Sequence, residues 1–305
     1  MIPTREQELA VLQAVVYASL FDYPLTIDQL RENLVGVRAD ARTMASWWQN
    51  SLLLRATVDY RDGWFFPIGR SELVLVRARR EALSRELIDR DRRIVSLIAR
   101  MPFVRMVSLS GSLAHLNADG AADLDLFVIT APHRVWSVTV ATLVLAKLLG
   151  CRQRVCMNYV VSESALKVAP EDMFSANQII HLRPITGHDT FARFVDANTF
   201  VKAWYPNFEL PRTSRPQDPR TLIERFLSLG AAPFAERLAR ALYGWHLRRK
   251  SATWHSRDQV RLEDECLKLH TSSHRASTLT RFEQAMNHAM TRFTSSSRPL
   301  KVLAS

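Results

Sequence analysis

The chain of 305 residues is predicted to be an α+β protein: a small N-terminal helical module, a central small mixed sheet, and a helical C-terminal region. Three observations carry this expectation. Apolar residues recur at helical spacing from Arg5 to Leu53, then alternate from Arg55 to Pro67 about an Asp62-Gly63 turn. Between Val104 and Val161 the order is strand, turn, short helix, strand, helix, strand, which suits a small mixed sheet. Beyond Pro170 the patterning reads as helical. The expected boundaries are 1–68 for the N-terminal module, 69–102 for a linking helix, 103–170 for the α/β core and 171–305 for the helical region.

The length holds two or three small domains and a real core. Hydrophobic content of 47% and charged content of 23% are ordinary for a soluble globular protein. Met1 to Glu8 is charged and has no apolar h-region, so no secretory signal is expected. The longest apolar stretch, Val135 to Gly150, is short for a membrane span and contains Lys147. It reads as a buried helix, and no membrane partner is expected. Cys151, Cys156 and Cys266 are an odd set without C-x-x-C spacing, which argues against a disulfide framework or zinc site and fits a reducing cytoplasm.

The net charge of +11 is unevenly placed. From Pro211 onward there are 17 Lys and Arg against 8 Asp and Glu, and the remainder is 24 against 22. A basic C-terminal third suggests a polyanionic partner, whether nucleotide phosphates, RNA or DNA, or acidic lipid. A solvated basic helical surface has the same composition.

The elements justify themselves in order. Arg5 to Leu20 places Leu9, Val11, Leu12, Val15, Val16 and Leu20 at helical spacing, and Phe21-Asp22-Tyr23-Pro24 ends it. Thr26-Ile-Asp-Gln29 is a capping-box start for a second helix ending near Leu34. Ala39 to Leu53 is a third helix carrying Trp47 and Trp48, and the hairpin follows. Three helices and a hairpin in this order form a winged helix, a common DNA-reading module. Arg42, Gln49 and Arg55 would then lie near a nucleic-acid backbone. The alternative role is packing, dimerisation or substrate gating. The third helix is dominated by Trp, Met and Leu, and the segment is near neutral rather than basic.

Ser71 to Met101 reads as one long helix with Leu73, Val76, Leu83, Leu87, Ile94 and Leu97 on its buried stripe. Strands are expected at Val104 to Leu109, Leu124 to Ile129 and Arg154 to Val161, with a helix at Pro132 to Leu149. Further helices are expected at Glu171 to His181, Asp189 to Trp204, Arg220 to Lys250, Arg257 to His270 and Thr278 to Met290. Pro206 to Pro219 reads as a linker or extended crossover, and the Ser-rich end after Thr294 is expected to fray.

The most informative phrase is Gly111-Ser112, followed after ten residues by Asp123-Leu124-Asp125 inside an apolar run. Residues i and i+2 of a strand share a face about 6–7 Å apart. Asp123 and Asp125 can therefore share a pair of divalent cations, with Leu124 and Leu126 filling core on the other face. Such cations bridge a triphosphate and lower the pKa of an attacking hydroxyl. Gly111 permits close backbone approach. The Ser112 hydroxyl and following N–H groups can hold phosphates at a helix start.

This phrase resembles the signature of the DNA polymerase β-like nucleotidyltransferase superfamily, over Val104 to Val161, about a fifth of the chain. The resemblance implies a nucleotidyltransferase domain in which Gly111, Ser112, Asp123 and Asp125 match the motif residue by residue, Asp123 and Asp125 being catalytic and metal-binding. It implies Mg²⁺ or Mn²⁺ as cofactor and an NTP as substrate. Members usually add a third carboxylate on a later strand, and here Asn158 stands at the centre of that strand, with Glu163 just past its end. Three arrangements follow: Asn158 as a weakened ligand, Glu163 as a substitute, or a partly degenerate site. Asn supplies a neutral oxygen to a metal but cannot act as a general base. The flanking order is similar to that of uncharacterised bacterial nucleotidyltransferase-domain proteins carrying an N-terminal winged helix, and it names no acceptor.

Two further residues are placed against phosphate: His115, four residues past Gly111, and Lys268, in a cluster with His270, His274 and Arg275 that also reads as an ordinary helix terminus. Arg193, Asn198, Lys202, Trp204 and Tyr205 could line the same cleft or serve helix packing. The expected activity is Mg²⁺-dependent transfer of NMP from an NTP to an unidentified acceptor (a small molecule, RNA or a protein) with release of pyrophosphate. The alternative is a winged-helix DNA-binding or nucleotide-sensing protein whose nucleotidyltransferase domain does not turn over.

Overall fold

The computed structural model describes residues 1–210, 221–228, 230–269 and 274–296. It is a mixed α/β structure that divides into two compact units. One holds Met1–Arg79, Val201–Glu209 and the chain from His274, and the other holds Arg80–Phe200 and the chain from Leu210 to Ser273.

The first unit opens with α1 (Arg5–Ser19), α2 (Ile27–Glu32), α3 (Ala41–Asn50) and α4 (Leu52–Thr57), then β1 (Val58–Arg61) and β2 (Trp64–Pro67). Thr4 with Gln7 and Thr26 with Gln29 form complete capping boxes at the starts of α1 and α2. The expected single helix from Ala39 to Leu53 breaks at Ser51. Its backbone is extended and its Oγ accepts from the Leu54 N–H at 3.0 Å, so it ends α3 and caps α4. The α4 helix takes Arg55 out of the expected hairpin, whose strands pair Val58 with Pro67 and Arg61 with Trp64. Asp62 and Gly63 both have positive φ, 53° and 89°, as a type I′ turn requires. Leu12, Leu30, Leu34, Met44, Trp47 and Leu53 are fully buried. Trp48 Nε1 donates to the Val58 carbonyl at 3.0 Å. The aromatic pair of α3 thus serves the core, while Arg42, Gln49 and Arg55 are exposed.

The long helix α5 (Leu73–Ala99) begins in the first unit and ends in the second. The second unit continues with β3 (Val104–Leu109), α6 (Gly111–Ala114), β4 (Leu124–Thr130), α7 (Val135–Leu148), β5 (Val155–Ser162), α8 (Met173–Ile180), β6 (Arg183–Thr186) and α9 (His188–Ala197). After α10 (Phe200–Trp204) come α11 (Thr221–Ser228), α12 (Ala231–Arg249), β7 (Val260–Leu262) and β8 (Cys266–Leu269). The sheet order is β6-β3-β4-β5-β8-β7. It is mixed, since β4 and β5 run parallel and the other pairs antiparallel.

One face of the sheet carries Leu124, Leu126, Val128, Val155, Met157 and Val160 into a core shared with α5, α7 and α12. The other face carries Phe127, whose ring meets Tyr159 at 5.1 Å and Phe194 of α9 at 5.0 Å. Asp125 pairs with Cys156 but Phe127 pairs with Tyr159, so β5 accommodates one extra residue there. That bulge puts Cys156, Asn158 and Tyr159 all on the Phe127 side.

The expected wholly helical C-terminal region is corrected in two places. Of the expected helix Arg257 to His270, residues 257–269 form a 3-10 turn and a β hairpin instead, and His270 lies outside the described residues: β8 pairs with β5 through Val160 and Leu267, which buries Leu267 completely. The pairing partner lies a hundred residues away, beyond the reach of local periodicity. Arg183–Thr186 likewise adds an edge strand to β3. The expected helix Asp189 to Trp204 breaks at Asn198, whose side chain bonds Val168 N, Leu166 O and Phe194 O and so ends α9. Arg220 to Lys250 is divided into α11 and α12. The last helix, α13 (Arg275–Ser296), belongs to the first unit. Of the expected linker Pro206 to Pro219, residues 211–219 lie outside the described residues, as does the end after Ser296. Among the described residues no helix is long and apolar enough to cross a membrane.

Candidate functional site

The site forms where β3 ends and β4 begins. The antiparallel ladder pairs Leu109 with Leu126, and the Ser110 N–H extends it to the Asp125 carbonyl at 2.9 Å. The chain then turns at Gly111, whose φ of +62° favours glycine. A Cβ built there would run into the Asp125 carboxylate and lie 3.2 Å from its Cγ. Gly111 is therefore required twice over, by its backbone and by what faces it. The α6 helix that follows is a single turn of four residues, so its dipole is small. Phosphate binding at this turn rests on the Ser112 hydroxyl and the local N–H groups. Arg80 Nη1 donates to Asn117 Oδ1 at 3.4 Å and Ser84 Oγ accepts from Ala118 N at 3.0 Å, which pins the loop beyond Ser112 to α5.

Asp125 lies on β4 and Asp123 just before it. Burial pushes the Asp125 carboxyl up to about 6, with the Asp123 charge as the second cause, and the Asn158 hydrogen bond opposes both. Asn158 Nδ2 donates to Asp125 Oδ1, and Cys156 Sγ donates to Asn158 Oδ1 at 3.0 Å. Burial, then the charges of Asp125 and Asp123, pushes the Cys156 thiol up to about 11. Cys156 is thus a neutral hydrogen-bond donor that holds the amide with its nitrogen toward the carboxylate. No Lys or Arg contributes to the Asp125 shift.

Glu163 is the residue the fold does not bring here. It lies just past the end of β5, five positions beyond Asn158, about 16 Å away at the rise of an extended strand. There it pairs with Arg193 at 3.2 Å and lies 3.8 Å from Arg105. The fold engages Glu163 with arginines rather than with the aspartates. Asn158 is the side chain adjacent to the aspartates, and Cys156, opposite Asp125, is a neighbour that sequence reasoning missed. Its signal was available: Cys156 and Asn158 are i and i+2 on one strand.

His115, at the end of α6, stacks on His181 with ring centroids 4.2 Å apart. His181 is half-buried, its ring Nδ1 lies 2.8 Å from the Asn177 carbonyl, and desolvation lowers its pKa to about 4. A neutral imidazole thus backs His115, and nothing in the sequence linked two residues so far apart. Lys268 occupies β8 opposite Tyr159, its Nζ 5.7 Å from that ring and 3.4 Å from Gln259 Oε1. It shares the sheet face of Asp125 but sits on the far side of β5. Of its expected companions, His270 lies outside the described residues, and His274 and Arg275 start α13 in the first unit. Arg193 is held by Glu163, Asn198 ends α9, and Trp204 accepts from the Gly36 N–H at 2.8 Å within the first unit. Tyr205 is buried and Lys202 is exposed, both in the first unit.

Among the described residues no three His, Cys, Asp or Glu side chains converge as a metal cage. The donors present fit a different kind of ion binding. Two neighbouring carboxylates without a basic partner among the described residues, one of them reluctant to ionise, gain from a hard divalent cation. Mg²⁺ in particular is commonly held by one or two carboxylates, with water and substrate phosphate filling its other positions. Comparison with protein-family models, with curated proteins and with solved structures found no match to the chain.

Proposed function

We propose that the protein is a divalent-metal-dependent nucleotidyltransferase that moves NMP from an NTP to a hydroxyl or phosphate of an acceptor. In that reaction an acceptor oxygen bonds to the α-phosphorus, the bond between the α-phosphorus and its bridging oxygen breaks, and pyrophosphate leaves. An attacking hydroxyl releases its proton to solvent, since Asn158 cannot take it. The observation that carries this reading is the contact between the Gly111 turn and the Asp125 carboxylate, which makes the Gly-Ser pair and the aspartate pair one site.

Asp123 and Asp125, with Asn158 as a neutral third donor, would hold Mg²⁺ or Mn²⁺. Such a cation neutralises phosphate charge and lowers the pKa of an attacking hydroxyl. Gly111 keeps the turn free of side-chain atoms, so phosphate can approach its backbone beside the Ser112 hydroxyl. Asn158 fixes the Asp125 carboxylate by its hydrogen bond, and Cys156 fixes the amide. His115 and Lys268 stand further out, as candidate contacts to the phosphate tail or the acceptor. The basic C-terminal third favours RNA or another polyanion as acceptor.

The test is turnover of labelled NTP with Mg²⁺ and candidate acceptors. Asp123→Asn combined with Asp125→Asn is expected to lower pyrophosphate release by at least about a thousandfold, the scale of losing transition-state charge stabilisation. Equal rates in wild type and double variant would end the assignment.

A second reading is favoured by Asn158, which donates a hydrogen bond where a third carboxylate would add charge. The domain would then bind nucleotide without turnover. Residues 5–67, four helices followed by a hairpin, would act as a winged helix and report it to DNA through exposed Arg42, Gln49 and Arg55. Salt-sensitive duplex binding and nucleotide binding without pyrophosphate release would select this reading.

A further inference from the structure

Helices α11 and α12 leave an apolar stripe outside the core of the second unit. Phe234, Leu238, Leu242 and Trp245 recur at i, i+4, i+8 and i+11, which places them on one side of α12. They are 68%, 45%, 62% and 57% exposed, and Phe226 of α11 is 79% exposed. The opposite side of α12, with Ala232, Ala239 and Leu247, is buried. The helix is therefore apolar on two faces, and only one of them is used by the core.

Charge is sorted in the same way. The two acidic side chains of α11 and α12 both turn inward. Glu224 binds Arg105 and the Phe103 N–H, and Glu236 accepts from the Trp136 and Ser137 N–H groups at 2.9 and 2.8 Å. Of the basic ones, Arg240 pairs with Asp264, while Arg225, Arg237, Arg248, Arg249 and Lys250 are exposed. Arg249 lies over the Trp245 ring at 4.6 Å. Aromatic and aliphatic side chains flanked by Arg, with no acid among them, match the boundary of an anionic bilayer. There the rings and leucines enter the acyl region while the cations stay with the headgroups.

We propose that the outer face of α11 and α12 is a docking surface for an anionic lipid bilayer, on which α12 lies in the plane of the interface. A second copy of the chain fits less well, because a two-fold contact would set Arg against Arg. Single-stranded nucleic acid also fits less well. Stacking needs rings, and the centre of the stripe is Leu238 and Leu242. An in-plane helix needs no spanning length. The surface is independent of Asp123 and Asp125.

The experiment is flotation of the full chain with phosphatidylcholine vesicles, with and without phosphatidylglycerol. Binding is expected only with the anionic lipid, and more weakly at high salt. Leu238→Gln with Leu242→Gln is expected to weaken it by about tenfold or more, from the lost apolar burial, while thermal unfolding is unchanged. Arg237→Gln with Arg248→Gln, a variant that keeps the apolar stripe, is expected to reduce the preference for anionic lipid. Failure to float with anionic vesicles at low salt would overturn the proposal. So would flotation unaffected by the leucine variant, which would mark general basicity only. A dimer, or RNA binding, lost in that variant without an effect on flotation would assign the stripe to those partners instead.

Discussion

The parallel pair β4 and β5 has two polar ends, and they are built on opposite terms. At the far end Glu163 and Glu224 are matched by Arg105 and Arg193, with Arg105 and Glu224 joined at 2.7 and 2.8 Å. At the near end Asp123 and Asp125 meet an amide and a thiol, and burial raises Asp125 instead of a cation lowering it. A carboxylate that a fold needs for its own stability is neutralised by the chain. One that is left against a like charge holds its proton more tightly. Asp125 on β4 and Glu163 just past the end of β5 are thus distinguished by their neighbours.

That contrast breaks most visibly under Glu224→Ala. The change removes the bidentate partner of Arg105, whose side chain is only 27% exposed, leaves it the longer Glu163 contact, and is expected to cost about 3 kcal/mol in urea denaturation while nucleotide affinity stays constant. A loss under 1 kcal/mol would remove the distinction.

The opposite outcome is expected at Asp125→Asn. The folded pKa of about 6 lies above the ordinary 3.8, so the folded state holds the proton more tightly than the unfolded chain. Stability contributed by this group is present below about pH 4 and lost as pH rises through 6. Asp125→Asn should therefore stabilise the metal-free protein at pH 8, by up to about 2 kcal/mol, and leave it unchanged at pH 4. Added Mg²⁺ should narrow the gap at high pH by stabilising the wild type. A wild type that grows more stable from pH 4 to 6 relative to the variant would reverse the argument.

The smallest effect sharpens the near end. Gly111→Ala is expected to cost roughly 1–2 kcal/mol for its left-handed backbone, and to lower turnover further by displacing the Asp125 carboxylate. Gly120→Ala is the control, since a Cβ there meets nothing within 4 Å. Equal melting temperatures and rates for the two variants would show that the turn and the aspartate do not communicate.

Much of this was legible in the sequence because it is written in local terms. Thr26 with Gln29 and Asp62-Gly63 specify a cap and a turn through neighbours three residues apart or fewer, and both are found as expected; Thr4 with Gln7 forms a second such box that was equally local. The break at Ser51 was equally local and was overlooked, because the apolar stripe runs across it and conceals a serine that caps the next helix. The alternation that put Leu124 and Leu126 into the core also put Asp125 on the other face. Strands β6 and β8 were not legible. Arg183–Thr186 and Cys266–Leu269 have four residues each, too few for periodicity to decide, and β8 is recruited by β5 from a distant part of the chain.

What the sequence determined alone was the set of groups and their spacing: a glycine beside a serine, two aspartates two residues apart, an asparagine where a carboxylate was sought. Which groups meet was decided by the tertiary structure. The bulge in β5 keeps Cys156, Asn158 and Tyr159 on one face, strand length carries Glu163 to the arginines, and the β3-to-β4 ladder brings Gly111 against Asp125. The physical reason is that caps, turns and pleats depend on bonds between near neighbours. The pKa of a carboxylate depends on every charge and every excluded water around it, and only the folded chain assembles those.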